Sequence, residues 1–233
     1  MYRPFEAFRP AAGVISVIGS GGKTTLLRWL SERLPGTVIL TTSTHIYPFP
    51  GMPLVEIGAG ETPADRARAV DALRAALARS RVVCVGRRLP SGKLTAPAPA
   101  LPFEDLAAEA THVLVEADGA AGRPLKAHRP WEPVIPACSG MTVCVVGASG
   151  IGMPAARACH CPELFCALAG TSPDQPVLEA HIAAVLNREN LADCCLVNQI
   201  DACADPERAR RLCDLIDGDA FPCALGAGMP RDR

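Results

Sequence analysis

VISVIGSGGKTTLLRWLSERL, residues 14–34, is the stretch whose reading decides the fold. Val14–Gly19 is a β-branched apolar run that reads as a buried strand. Gly19-Ser20-Gly21-Gly22 is a turn, and beyond it Leu26, Leu27, Leu30 and Leu34 recur at helical spacing. A strand that feeds a glycine turn and then a helix forms a natural anion site. Glycine lets the backbone curl with its N–H groups inward, and the helix N-terminus adds free donors and the positive end of its dipole. Lys23 is placed to reach the β- and γ-phosphates of a nucleoside triphosphate, and the Thr24 hydroxyl to hold Mg²⁺. Gly19, Ser20, Gly21, Gly22, Lys23, Thr24 and Thr25 together are the expected phosphate cradle.

The pattern departs from G-x-x-x-x-G-K-[ST], which wants a glycine where this chain has Val17. Its local form, G-x-G-G-K-T-T, resembles the shortened loop of Mur-type ligases, which is also an ATP site. Outward from the loop, apolar runs alternate with amphipathic stretches. Residues 37–42 (TVILTT), 81–86 (RVVCVG), 111–119 (THVLVEADG), 142–150 (TVCVVGASG) and 194–201 (CCLVNQID) read as strands. Residues 65–80 read as a helix with Val70, Leu73 and Leu77 on one face, and Asp205-Pro206-Glu207 opens another. Residues 89–102, rich in proline and alanine, are expected to form an irregular loop. The expected fold is a single α/β domain of P-loop NTPase type over residues 1–233, a mostly parallel sheet with helices on both faces.

Composition narrows the function. The chain is 49% hydrophobic and 20% charged with a formal net charge of −1, so no global positive field draws nucleic acid or anionic lipid. Aromatics at 4% are too few for a base-stacking surface. No run reaches the ~20 apolar residues of a membrane span, and MYRPFEAFRPAAG lacks the apolar core of a signal peptide. A cytoplasmic protein is expected, with neither nucleic acid nor membrane as partner. Eleven cysteines, several inside strand-like runs, read as buried hydrophobes and not as a disulfide framework.

A phosphate loop needs an acid at the end of a neighbouring strand, to hold the metal or orient water. Glu116 and Asp118 are the candidates for both roles, and with Lys23 they form the expected catalytic set. Thr42, in Thr41-Thr42-Ser43-Thr44-His45, closes a strand at the edge where open α/β sheets bind ligands. Asn198-Gln199-Ile200-Asp201 resembles the N-K-x-D motif of GTPases, whose Asp reads guanine; Gln199 stands in place of the lysine. On that resemblance Asn198 and Asp201 would read the base, with GTP favoured over ATP. Lys126 could neutralise phosphate or a second anion, and His128 could bind substrate or metal. Cys159, His160, Cys161 and Cys166 admit a soft-metal or selenium reading beside the plainer one of core and loop cysteines.

Taken together, VIGSGGKTTLL, TTSTH, Gly92-Lys93-Leu94, LVEADGAAGRPLKAH with EPVIP, HCPELF and LVNQID resemble the YqeC family. The resemblance implies a P-loop fold and an accessory role in maturing a selenium-dependent molybdenum hydroxylase, with a hydroxylase subunit or its cofactor as partner. Glu116-Ala117-Asp118-Gly119 also resembles the E-x-x-G of GTPases that mature nickel enzymes. The chain departs from the family pattern at Cys161, where arginine would follow His160, and at Gln199. Two other classes stay open: a Mur-like ATP-dependent transferase or ligase acting on a small acceptor, and a nucleotide-gated carrier with little turnover of its own.

Overall fold

A computed structural model of the chain describes residues 8–226. Residues 1–7, which hold part of the stretch read above for a signal peptide, lie outside the described residues. The protein is mixed α/β, built on a mostly parallel sheet. Strand β1 (Gly13–Gly19) leads into helix α1 (Lys23–Arg33), then β2 (Val38–Thr42), β3 (His45–Ile46), β4 (Leu54–Glu56) and α2 (Pro63–Leu77). Next come β5 (Val82–Arg88), β6 (Leu94–Thr95), α3 (Phe103–Glu109), β7 (His112–Glu116), β8 (Leu125–Lys126) and β9 (Ser139–Gly147). The chain continues through α4 (Ala155–Ala158), β10 (Cys159–His160), α5 (Pro162–Ala169), α6 (Glu179–Glu189), β11 (Cys194–Asn198), α7 (Pro206–Leu215) and β12 (Asp219–Pro222).

The sheet runs β12-β11-β9-β1-β7-β2-β5-β6-β3, with β4 also paired to β5. All its pairings are parallel except β5–β6 and β6–β3. β1 lies between β7 and β9: the chain leaves it for β2 on the β7 side and later passes from β7 to β9 on its other side. The carboxyl end of β1 is therefore a switch point, where open α/β sheets leave a ligand crevice.

Alternation sorts each strand between two apolar layers. Ile15, Val17, Val38, Leu40 and Leu196 pack under Leu26, Leu27 and Leu30 of α1. On the other face Val14, Ile39, Val83 and Val113 meet Leu73 of α2 and Leu106 of α3. Ile18, Cys144, Cys195 and Val197 share that second layer's neighbour with residues of α4–α7 such as Phe165, Ile182 and Leu212. Helices thus cover both faces, as expected. Each fully buried leucine contributes about 1.5–3 kcal/mol of burial, which anchors α1 firmly behind its loop.

Local expectations need several corrections. Helix α2 starts at Pro63, because Thr62 and Asp65 form a reciprocal capping box. Val70, Leu73 and Leu77 do share one face, Leu73 buried and the other two partly buried against the same apolar cluster. The segment 89–102 is not wholly irregular: Leu94 and Thr95 pair with Arg88 and Arg87, and with Ile46 and His45. Leu125–Lys126 forms a further short strand, paired with Cys159–His160. Every described cysteine is a free thiol. Burial pushes the thiols of Cys84 to about 11 and of Cys159, Cys194, Cys213 and Cys223 to about 12, so they stay protonated core groups. No helix among the described residues is long and apolar enough to cross a membrane.

Candidate phosphate site

The loop Gly19–Gly22 is shaped by contact with its neighbours. Gly19, Gly21 and Gly22 have φ of +86°, +86° and +127°, which side chains other than glycine's disfavour. A Cβ on Gly21 would lie 2.4 Å from the Gly147 nitrogen, and one on Gly22 would lie 2.4 Å from Asn198 Nδ2. The loop is thus wedged against the ends of β9 and β11, where only bare backbone fits. Ser20 donates its N–H to Val145 O at 2.8 Å. Its own hydroxyl is buried and has no hydrogen-bond partner among the described residues.

Helix α1 begins at Lys23 with no side-chain cap and no acidic residue in its first turn. Its leading N–H groups therefore keep their donor capacity and the dipole keeps its positive end. Thr24 is exposed there and Thr25 partly so. An uncapped, glycine-preceded helix start fits an anion, and a lone hydroxyl beside a carboxylate fits a hard cation.

The acids arrive from β7, paired in register with β1. Glu116 Oε2 accepts from the Thr24 hydroxyl at 3.3 Å, and the residue is 8% exposed. Burial pushes its carboxyl up, the Lys23 charge opposing and the Asp118 charge adding. Asp118 is fully buried. Its Oδ1 lies 3.0 Å from Lys23 Nζ. Its Oδ2 accepts from Gly19 N at 2.9 Å and lies 2.8 Å from His128 Nε2 and 3.1 Å from Lys126 Nζ. Burial alone would raise the Asp118 carboxyl; the His128 hydrogen bond and the charges of Lys23 and Lys126 outweigh it and hold it at about 2. The two acids, expected as equivalents, thus divide: Asp118 is enclosed by Gly19, Lys23, Lys126 and His128, whereas Glu116 faces the exposed hydroxyl.

Lys23 also donates to Gly19 O at 2.7 Å. Lys126 donates to Gly119 O at 2.6 Å and pairs with Glu132 at 3.0 Å, so it is tied into the wall. Thr42 donates to Glu116 O at 2.8 Å and accepts from Thr44 N at 2.9 Å. It braces the strand end that carries Glu116.

Asn198 reaches the loop from β11: Nδ2 donates to Gly21 O at 2.8 Å, and Oδ1 accepts from Leu225 N at 2.9 Å. Both ends of its amide hold backbone. Asp201 stands exposed on the short turn Ile200–Ala202. The structure thus brings Asn198 to the loop and leaves Asp201 outside it. No three His, Cys, Asp or Glu side chains among the described residues are grouped to hold a metal ion, the Cys159–Cys166 region included. Cys161 caps α5 in a left-handed conformation, while Cys159 and Cys166 are core.

Two residues at the site were missed from sequence. Glu132 pairs Lys126, and Glu189 of α6 binds His128. The one available signal for Glu189 was its acid at a helix C-terminus, against the dipole.

The family model described as YqeC protein matches residues 15–163, a span holding the loop, both acids, Lys126 and His128. The Escherichia coli (strain K12) protein named Uncharacterized protein YqeC is 32% identical over 180 residues, 74% of this chain and 67% of its own length. By both matches the chain belongs to the YqeC family.

Proposed function

We propose that the protein binds a nucleoside triphosphate with Mg²⁺ at Gly19–Thr25 and hydrolyses it, as an accessory factor in maturing a selenium-dependent molybdenum hydroxylase. One observation carries the nucleotide reading: Lys23 and Thr24, at an uncapped helix start, meet Asp118 and Glu116 at the end of the adjacent strand. The accessory role is what the YqeC resemblance implies.

In this reading the loop N–H groups and the α1 terminus bind the phosphates, and Lys23 moves from Asp118 to them. Thr24 and Glu116 would hold Mg²⁺, which neutralises charge on the phosphates. Glu116 is the favoured metal ligand because it faces Thr24, while Asp118 Oδ2 is held by Gly19, Lys126 and His128. The work of Asp118 is to keep the loop and Lys23 in register. Asn198 and Asp201 favour GTP only through their likeness to N-K-x-D, from which Gln199 departs, and Asn198 acts foremost as a brace. The Mur-like loop form supports a second reading, phosphoryl transfer to a small acceptor.

Phosphate release from GTP and from ATP, with and without a molybdenum hydroxylase subunit, tests the proposal. Mg²⁺-dependent release that Lys23→Ala abolishes is the expected result. Release of nothing from either nucleotide under every condition contradicts the hydrolase reading, and release that requires a small acceptor replaces it with the transferase.

A further inference from the structure

The loop is braced from a helix that its own motif does not include. Glu189, the last residue of α6, accepts the His128 backbone N–H at 2.6 Å through Oε1. Its Oε2 lies 2.7 Å from His128 Nδ1. The opposite ring nitrogen meets Asp118 Oδ2 at 2.8 Å, and that oxygen accepts the Gly19 N–H at 2.9 Å. The side chains of His128, Glu189 and Asp118 are 3%, 10% and 0% exposed. An unbroken run of hydrogen bonds therefore joins α6 to the first glycine of the loop, and the ion pair at Oδ1 of Asp118 extends it to Lys23. A carboxylate on each nitrogen fixes the imidazole in one orientation, and low exposure strengthens each link.

We propose that His128 and Glu189 are positioning residues of the phosphate site, acting through Asp118 to set Gly19 and to hold Lys23 until phosphate arrives. The nucleotide part of this rests on the phosphate-site reading above. When Lys23 leaves, Asp118 keeps Lys126 and His128 as partners, so no buried carboxylate is left unpaired. The end of α6 and the loop lysine thereby sense each other through one side chain.

The test is nuclear magnetic resonance of the full chain, following the Gly19 amide and the His128 ring nitrogens, with calorimetry of Mg²⁺ and a non-hydrolysable GTP or ATP analogue. Glu189→Ala removes both contacts; Glu189→Gln keeps an oxygen acceptor for the backbone N–H. Without nucleotide, Glu189→Ala should move the Gly19 amide signal, and Lys23→Ala should move the His128 ring signals. Nucleotide affinity should fall about 5-fold or more in Glu189→Ala, as expected for coupled sites, with Glu189→Gln between it and wild type. A Gly19 amide that stays put in folded Glu189→Ala and Glu189→Gln overturns the proposal. If Glu189→Ala does not fold, the Gln variant and the response of His128 to Lys23→Ala decide it. Wild type that binds neither analogue defeats the phosphate reading, while the amide and ring signals still judge the brace.

Discussion

Lys23 Nζ lies 3.0 Å from Asp118 Oδ1, with both side chains buried. The lysine that opens α1 is thereby neutralised inside the protein by the acid that follows β7. Such a pair is stable only while both members remain, since removing one leaves the other charge buried and alone.

Asp118→Asn and Glu116→Gln should therefore differ in kind. The first leaves the buried Lys23 without its carboxylate and is expected to cost about 3–5 kcal/mol of stability, the usual penalty for breaking a buried pair. The second removes the carboxylate beside an exposed Thr24 and should leave stability within about 1 kcal/mol, while weakening the Mg²⁺ dependence of nucleotide binding. Urea unfolding and calorimetry with and without Mg²⁺ check the two. Equal stability losses would undo the division of roles.

Gly22→Ala sets a Cβ 2.4 Å from Asn198 Nδ2 at φ +127°. The strain, about 1–3 kcal/mol, should fall mainly on the loop and its grip on phosphate. Pairing it with Asn198→Ala should restore part of the lost affinity, because the clashing amide is gone. No recovery in the double variant would show that backbone strain alone is responsible.

Asn198→Ala leaves Gly21 O and Leu225 N without their partner and should destabilise by about 1–3 kcal/mol. Asp201→Ala, on an exposed turn, should change stability by less than about 0.5 kcal/mol. Thermal unfolding separates them. If Asp201 reads guanine, its variant will nonetheless lose GTP-over-ATP preference with the fold intact.

The Arg208 hydrogen bonds hold Glu179 at about 2, below its ordinary 4.5, against the opposing effect of burial. A carboxyl with a depressed folded pKa stabilises fully above 4.5, and that contribution is lost as pH falls toward 2. Glu179→Gln should lower stability by about 1 kcal/mol near neutral pH, the upper range for partly exposed pairs, and the gap to wild type should close in acid. Denaturant melts at several pH values measure it; a gap that widens in acid contradicts the assignment.

The candidate site was legible where its residues are local to a motif. Val14–Thr25 carries strand, turn and helix start in one run, and HVLVEADG announces its acids at the end of a strand. The strand order that sets β7 beside β1 brings the two together, and alternation with helices foretold that kind of sheet. What sequence could not show is which acid is free. Asp118 is enclosed by His128 and Lys126, ten and eight residues onward, through a chain path that only the folded loop defines. Glu189 is 61 residues from His128 and reaches it through tertiary packing of α6, so no spacing rule finds it. Strand β6 escaped for a different reason: two residues between prolines carry no period to read.

The central claim, that Gly19–Thr25 is a phosphate site served by Lys23, is tested most directly by calorimetry of Mg²⁺ with non-hydrolysable GTP and ATP analogues, on wild type and Lys23→Ala. Wild type should bind at least one analogue saturably, with affinity about tenfold or more weaker in Lys23→Ala, where a charge-assisted phosphate contact is lost. Equal affinity in the two proteins, or no binding of either analogue to wild type, would contradict it.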